Sequence, residues 1–151
     1  LFFPIANYAF ELGFKLYTTT NGTTIQNLET AQKIKAVGFN EIDVSLDGAR
    51  EETHDFLRGK GVFEKTIRAI GFLRKAGLTV KTATVVYKKN FSEIEEIFLL
   101  GKRLGVDSMY FNSLMPGGRG KKILEKNQLS TDEWRRALRA IDNWNKKEKF
   151  V

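Results

Sequence analysis

Apolar positions along the chain follow two rhythms in turn. Phe63, Ile67, Ile70 and Leu73 recur at three-to-four spacing, as do Ile94, Ile97, Phe98 and Leu104, and each set predicts a helix with one inward face. Between them Val80, Val85 and Val86 concentrate β-branched bulk, while Ile42, Val44 and Leu46 alternate with polar neighbours. The predicted strands are Lys15–Thr19, Glu41–Ser45, Thr79–Tyr87 and Ser108–Ser113. A further helix over about Thr24–Ala36 turns Ile25, Leu28 and Ile34 inward, and Ile5–Leu12 reads as the tail of another, with Pro4 suited to its first turn. Ser92 with Glu95 and Ser130 with Glu133 have the spacing of capping boxes. The second opens a last helix with Trp134, Leu138 and Ile141 on its inner side.

A repeated junction orders these elements. Helix, Gly, apolar residue and strand follow one another at Gly13-Phe14, Gly38-Phe39, Gly77-Leu78 and Gly105-Val106, and a Gly just past a helix supplies the left-handed residue that closes it. Strands alternating with helices predict an α/β fold with a parallel sheet and right-handed crossovers. Residues 1–128 hold the βα repeats and 129–151 the C-terminal helix. About four strands with helices on one side leave a sheet face and two edges bare, yet buried parallel strands need both faces filled. Either helices cover both faces or the chain is an arc of a barrel. Residue 1 is Leu, not Met, which favours the arc and a start inside a longer protein.

Composition narrows the chemistry. The 151 residues contain no cysteine and a single histidine, which excludes disulfides, thiolate metal sites and a cysteine nucleophile within them. The net charge of +7 is spread over helix polar faces, with dense clusters only at Lys88-Lys89, Lys121-Lys122 and Lys146-Lys147, a pattern of solvated surface that argues against nucleic acid. No apolar run approaches a membrane span and no signal-peptide pattern opens the chain, so the expected location is cytoplasmic.

Parallel sheets place ligands beyond the carboxyl ends of their strands. Those ends carry Thr18-Thr19-Thr20-Asn21-Gly22, then Ser45-Leu46-Asp47-Gly48, then Tyr87 with two lysines, then Asn112-Ser113-Leu114-Met115 and the Pro-Gly-Gly-Arg-Gly run at 116–120. Short hydroxyl and amide side chains there suit a polar small molecule. Each has a plainer reading too. Asn21-Gly22 and Asp47-Gly48 are ordinary turn dipeptides, Ser45 reads equally as a core hydroxyl, and Arg58 pairs with Glu64 or caps a helix. His54 reads as a surface or helix-start residue rather than a ligand. The glycines at 117–120 form no P-loop, and no nucleophile–base pair is visible. Open alternatives are a phosphate-binding barrel enzyme, a nucleic-acid module using Arg119, Lys121 and Lys122, and a cysteine-free non-catalytic relative.

The order of the pieces carries a resemblance. Thr20-Asn21-Gly22, a helix, Val44-Ser45-Leu46-Asp47-Gly48, Thr53-His54-Asp55-Phe56-Leu57-Arg58-Gly59, Gly61-Val62-Phe63-Glu64-Lys65, Leu73-Arg74-Lys75-Ala76-Gly77 and Leu104-Gly105-Val106-Asp107 together resemble the radical S-adenosylmethionine (radical SAM) family. The nearest branch is the peptide- and protein-modifying one whose members often carry a C-terminal SPASM extension. The resemblance implies a partial (βα)6 TIM-like barrel, of which this chain supplies strands three to six. It also implies S-adenosylmethionine as cofactor, a [4Fe–4S] cluster on a Cys-x3-Cys-x2-Cys loop that is absent here, an electron donor, and a peptide or protein substrate. Reductive cleavage of the cofactor would yield a 5′-deoxyadenosyl radical for hydrogen abstraction.

Carried over residue by residue, Ser45 matches a serine that contacts the methionyl or ribose moiety, and Thr20 and Asn21 the third-strand motif beside cofactor and substrate. Arg58 would meet the cofactor carboxylate, Leu114 and Met115 would flank the adenine, and Asp47 would order its turn and neighbours. No residue here is assigned a catalytic or metal-ligating role, and the isolated chain is expected to be inactive. Without thiolates it should hold no cluster. Reconstitution with iron and sulfide should give no cluster absorbance; a stable chromophore on this chain would overturn the assignment.

Overall fold

The computed structural model describes residues 1–115 and 126–148. Four strands form one sheet in the order β1 (Thr19–Thr20), β2 (Glu41–Ser45), β3 (Thr79–Val86) and β4 (Ser108–Ser113), every neighbouring pair parallel. Helix α1 (Phe2–Glu11) precedes β1, and α2 (Leu28–Ala36) joins β1 to β2. Two helices, α3 (Glu51–Arg58) and α4 (Val62–Lys75), join β2 to β3, α5 (Ile94–Leu104) joins β3 to β4, and α6 (Thr131–Glu148) ends the described chain. This is the expected partial-barrel arc. The four helix-closing glycines, Gly13, Gly38, Gly77 and Gly105, have φ of 84°, 108°, 76° and 69°, a region only glycine enters without strain.

The core lies on one face of the sheet. Ile42, Val44 and Val80 point into a cluster with Ala31 and Ile34 of α2 and Ala69, Ile70 and Leu73 of α4. Strand alternation therefore turns Glu41, Asp43 and Ser45 of β2 to the opposite face, with Lys81 and Ala83 of β3 beside them in register. That face is polar: Lys81 Nζ meets Glu41 Oε1 at 2.5 Å. A second cluster packs α6 against α5 and β4, through Phe98, Phe111, Trp134, Ala137, Ile141 and Trp144.

The structure revises four expectations. The first strand spans only Thr19–Thr20, because Thr19 pairs with Asp43 and residues 15 and 16 run past the start of β2. Helix α2 begins at Leu28 rather than near Thr24, since Asn27 caps it by accepting the Thr30 N–H at 2.9 Å. Ser92 and Glu95 form no capping box; the chain enters α5 through a 3₁₀ turn, Phe91–Glu93, which carries the buried Glu93 toward the loop after β2. Leu138 is 47% exposed, and the inward stripe of α6 runs instead through the partly buried Trp134, Ile141 and Trp144 around the buried Ala137, which a reading of large residues alone skips. The box at Ser130 and Glu133 does form, with bonds of 2.7 and 3.3 Å.

Ala137 is fully buried where α6 meets α5. Ala137→Asp would place an unpartnered carboxylate there, at a cost on the order of 3 kcal/mol or more. Both tryptophans of the chain lie on α6. The substitution should therefore red-shift tryptophan emission while the sheet signal in circular dichroism persists. Unshifted emission would show that α6 does not depend on this contact.

Candidate functional site at the carboxyl ends of the strands

Because all strands are parallel, the loops after β1, β2, β3 and β4 share one rim. The loop after β1 is a pair of side-chain turns. Thr20 Oγ1 accepts the Gly22 N–H at 3.0 Å, and Asn21 Oδ1 accepts the Thr23 N–H at 3.1 Å and its hydroxyl at 2.8 Å. Gly22 takes φ +79° and lies against α4, where a Cβ would meet that of Ala69 at 2.8 Å. Thr20 is in register with Val44, so its side chain is on the helix face, while Ser45 is on the open face beside Ala83.

The loop after β2 is organised by Asp47, which has no exposed surface. Its Oδ1 accepts the Val85 N–H at 2.7 Å and its Oδ2 the Arg58 Nε–H, while its own carbonyl accepts Asn90 Nδ2–H at 2.7 Å. Arg58 therefore pairs with Asp47 rather than with Glu64. Asn90 is equally buried and also gives Nδ2–H to the Val85 carbonyl at 2.7 Å and accepts the Tyr87 N–H at 2.8 Å. Gly48 threads between this loop and α3: a Cβ there would lie 2.3 Å from Thr53 Oγ1. Thr53 Oγ1–H bonds the buried Glu93 carboxylate at 2.8 Å, and Glu93 also accepts the Ala49 N–H at 2.9 Å.

Ser45 is only 5% exposed, but its hydroxyl is not among the fully buried unpartnered side-chain atoms of the described residues, which are Asp43 Oδ1, Thr82 Oγ1 and Ser108 Oγ, so what surface it has is at the hydroxyl. Asn21 Nδ2 and the Nη nitrogens of Arg58 have no hydrogen-bond partner among the described residues. Leu114 is half-buried and Met115 70% exposed, with Ser113 Oγ 3.7 Å from its sulfur. They follow β4, separated from β2 by the whole of β3, about 10 Å of sheet. The loop at 116–120 lies outside the described residues. A cavity of about 550 Å³ opens at the other end of the sheet, lined by Gly13, Gly38, Asn40 and Thr79 among others, away from this rim.

His54 lies near the start of α3, one of its two expected positions, but not at the surface. It has no exposed surface, and its Nδ1 accepts the Asp47 N–H at 3.1 Å while Nε2 lies 3.4 Å from the Thr66 hydroxyl. The spacing of apolar residues gave no sign of it, since its partners come from other elements. The same is true of Thr66, Asn90 and Glu93. Burial holds the His54 pKa below the ordinary histidine value, outweighing the upward pull of Asp47 and Asp55, and Arg58 pushes the same way as burial. A group depressed in the fold contributes stability above its unfolded pKa and loses it as pH falls. The wild-type chain should hold full stability above about pH 7 and lose it below about pH 6.5, at no more than about 1.4 kcal/mol per pH unit. Denaturant titrations at pH 7 and 5.5 should show a smaller loss for His54→Gln. An equal loss would mean His54 is not held neutral.

Comparison with known proteins places this geometry. Residues 3–101 match the model described as the Radical SAM superfamily. An AdoMet-dependent heme synthase of Methanosarcina barkeri is 37% identical over 149 residues, covering 98% of this chain and 42% of that protein. The mycofactocin maturase MftC of Mycolicibacterium smegmatis is 34% identical over 123 residues, covering 81% of this chain and 31% of that protein. The crystal structure of Streptococcus suis SuiB superimposes with a TM-score of 0.80 at 16% identity, over 98% of this chain and 34% of that one. The chain thus spans well under half the length of these relatives. With its parallel βα arc and the match over residues 3–101, the chain belongs to the radical SAM superfamily.

Proposed function

We propose that this chain is the cofactor-contacting arc of a radical SAM enzyme, binding S-adenosylmethionine across the rim formed by the loops after β1, β2 and β4. The observation that carries the reading is Ser45, a nearly buried residue on the open face whose hydroxyl is left accessible, at the rim that also presents Asn21 and Arg58. A serine hydroxyl so placed can both donate to and accept from a ligand. S-adenosylmethionine offers a ribose, an ammonium and a carboxylate, which match a hydroxyl, an amide N–H and a guanidinium. The residues fit this cofactor. They do not fit an iron–sulfur cluster: the chain has no cysteine, and the described residues contain no group of three placed to hold a metal ion. Cluster ligands and the electron donor belong to parts outside this chain.

The chemistry such a cofactor supplies when bound is hydrogen-atom abstraction from a substrate. This chain's part is positioning. Ser45 would bind the methionyl or ribose moiety. Arg58, its Nε fixed on Asp47, would turn its Nη nitrogens toward the carboxylate. Asn21 would offer its Nδ2–H, and Thr20 would act through the turn it closes on Gly22. The backbone near Leu114 and Met115 would flank the adenine.

For the substrate we favour a peptide or protein, in a cytoplasmic enzyme of the SPASM-type branch. Support comes from the similarity to MftC and to the SuiB structure bound to its precursor peptide SuiA, which has a TM-score of 0.78. A heme-forming reaction is the second reading, favoured by 37% identity to a heme synthase over 98% of this chain. In the described residues no helix is long and apolar enough to cross a membrane.

Ser45→Ala tests the reading in the full-length protein. The hydroxyl has no protein partner to lose, so the melting temperature should hold or rise. Calorimetric affinity for S-adenosylmethionine should fall about fivefold, the worth of one polar contact of about 1 kcal/mol. Unchanged affinity with a sharp drop in melting temperature would make Ser45 structural and remove the main support.

A further inference from the structure

The two rim loops that the proposed cofactor site depends on come from different βα units, and a single line of hydrogen bonds through buried side chains joins them. The Asp47 N–H donates to His54 Nδ1 at 3.1 Å, His54 Nε2 lies 3.4 Å from Thr66 Oγ1, and Thr66 Oγ1–H donates to the Asn21 carbonyl at 2.8 Å. The two ends are backbone groups of fixed role: an N–H can only donate and a carbonyl only accept. They therefore set every proton between them. His54 Nδ1 must accept, so the proton is on Nε2 and points at Thr66, whose own hydrogen points at Asn21. Only a neutral side chain with one acceptor and one donor fits between the Asp47 N–H and the Thr66 hydroxyl.

Both middle residues are polar where the fold would ordinarily place apolar ones. Thr66 and His54 have no exposed surface, and Thr66 shares the inner face of α4 with Val62, Ala69, Ile70 and Leu73. Valine would fill the same volume without a hydroxyl to satisfy. The tie also reaches a loop whose other hydrogen bonds are within itself, with Ile25 packed in the core at its far end. β1 has two residues and a single neighbouring strand among the described residues, so the ladder does little to fix Asn21. Gly22 permits the tie, since it lets the loop approach α4 to within 3.3 Å of the Thr66 Cα from an added Cβ.

We infer that His54 is a positioning residue which, through Thr66, fixes the Asn21 loop relative to Asp47 and so sets the distance across the cofactor rim. The inference rests on the proposed S-adenosylmethionine site for its function, though not for its geometry. The competing role is packing alone, since the His54 ring also lies 5.6 Å from that of Phe63.

The test compares Thr66→Val, Thr66→Ser, His54→Phe and His54→Gln in the full-length protein, by hydrogen-exchange mass spectrometry and by S-adenosylmethionine titration. Thr66→Val and His54→Phe keep shape and break the line; Thr66→Ser and His54→Gln restore a hydroxyl, or one acceptor and one donor. With the line broken, amide exchange over residues 20–24 should rise about tenfold and cofactor affinity fall about fivefold, the loss of a buried hydrogen bond, while exchange over 79–83 stays unchanged. The Ser and Gln variants should recover most of both. If Thr66→Val and His54→Phe leave exchange over residues 20–24 within about twofold of wild type, or raise it equally across the sheet, the positioning role is wrong and His54 only packs. If the wild-type protein fails to bind S-adenosylmethionine while the exchange pattern appears as expected, the coupling stands and the cofactor reading falls.

Discussion

The rim is built around one buried carboxylate. Asp47 sits at the end of β2 with no exposed surface and both oxygens occupied, one by the Val85 amide and one by Arg58. A charge so placed is tolerable because each oxygen has a hydrogen-bond partner and one of the two is a guanidinium, and the same bonds dictate where its neighbours lie. Val85 ties the loop to β3, and Arg58 fixes the end of α3. The Asp47 backbone completes the anchoring, with its carbonyl held by Asn90 and its N–H held by His54. Removing one partner would strand a charge in the interior, so the loop has one geometry rather than several.

That rigidity has a counterpart in the two faces of the sheet. Parallel strands are usually apolar on both sides because both are covered. Here only the helix side is. The other carries Glu41, Asp43, Ser45 and Lys81, with Asp43 Oδ1 and Ser108 Oγ buried and without partners among the described residues. Burial, then the charge of Glu41, raises the Asp43 pKa against the pull of Lys81. A face of this kind suits a hollow that holds water or ligand, not a second packed layer. It is what the inside of a barrel arc looks like when its contents are polar.

Much of the architecture could be read from the chain. The four helix–Gly–strand junctions announced a parallel βα fold, and the strand ends announced the rim, because period and punctuation are local properties. What escaped depended on contacts across the fold. A lone histidine read as a surface or helix-start residue proved to be at a helix start but buried, because Asp47 and Thr66 meet it from two other segments. Asn90 precedes a helix in the sequence, and nothing local shows that it spends its side chain on three backbone groups, of Val85 in β3, of Tyr87 just past it and of Asp47 in the loop after β2. Arg58 had an acidic residue six positions along in Glu64, but its partner proved to be Asp47, eleven positions back. Sequence spacing ranks local partners first, and buried polar networks are mostly non-local.

The same network separates residues that hold the site from residues that present it. Asn21 Oδ1 and both Asp47 oxygens are consumed within the protein, so the turn reading and the site reading of those dipeptides describe one structure. What the proposed site has left to face a ligand is small: the Ser45 hydroxyl, the Asn21 Nδ2 amide group and the outer nitrogens of Arg58. This set can recognise a polar cofactor but offers little to tell one substrate from another. Relatives named for heme synthesis and for mycofactocin maturation align with this arc at similar identity, 37% and 34%. On the proposed reading the arc carries what such proteins have in common, and its few ligand-facing groups leave the choice of substrate to other surfaces.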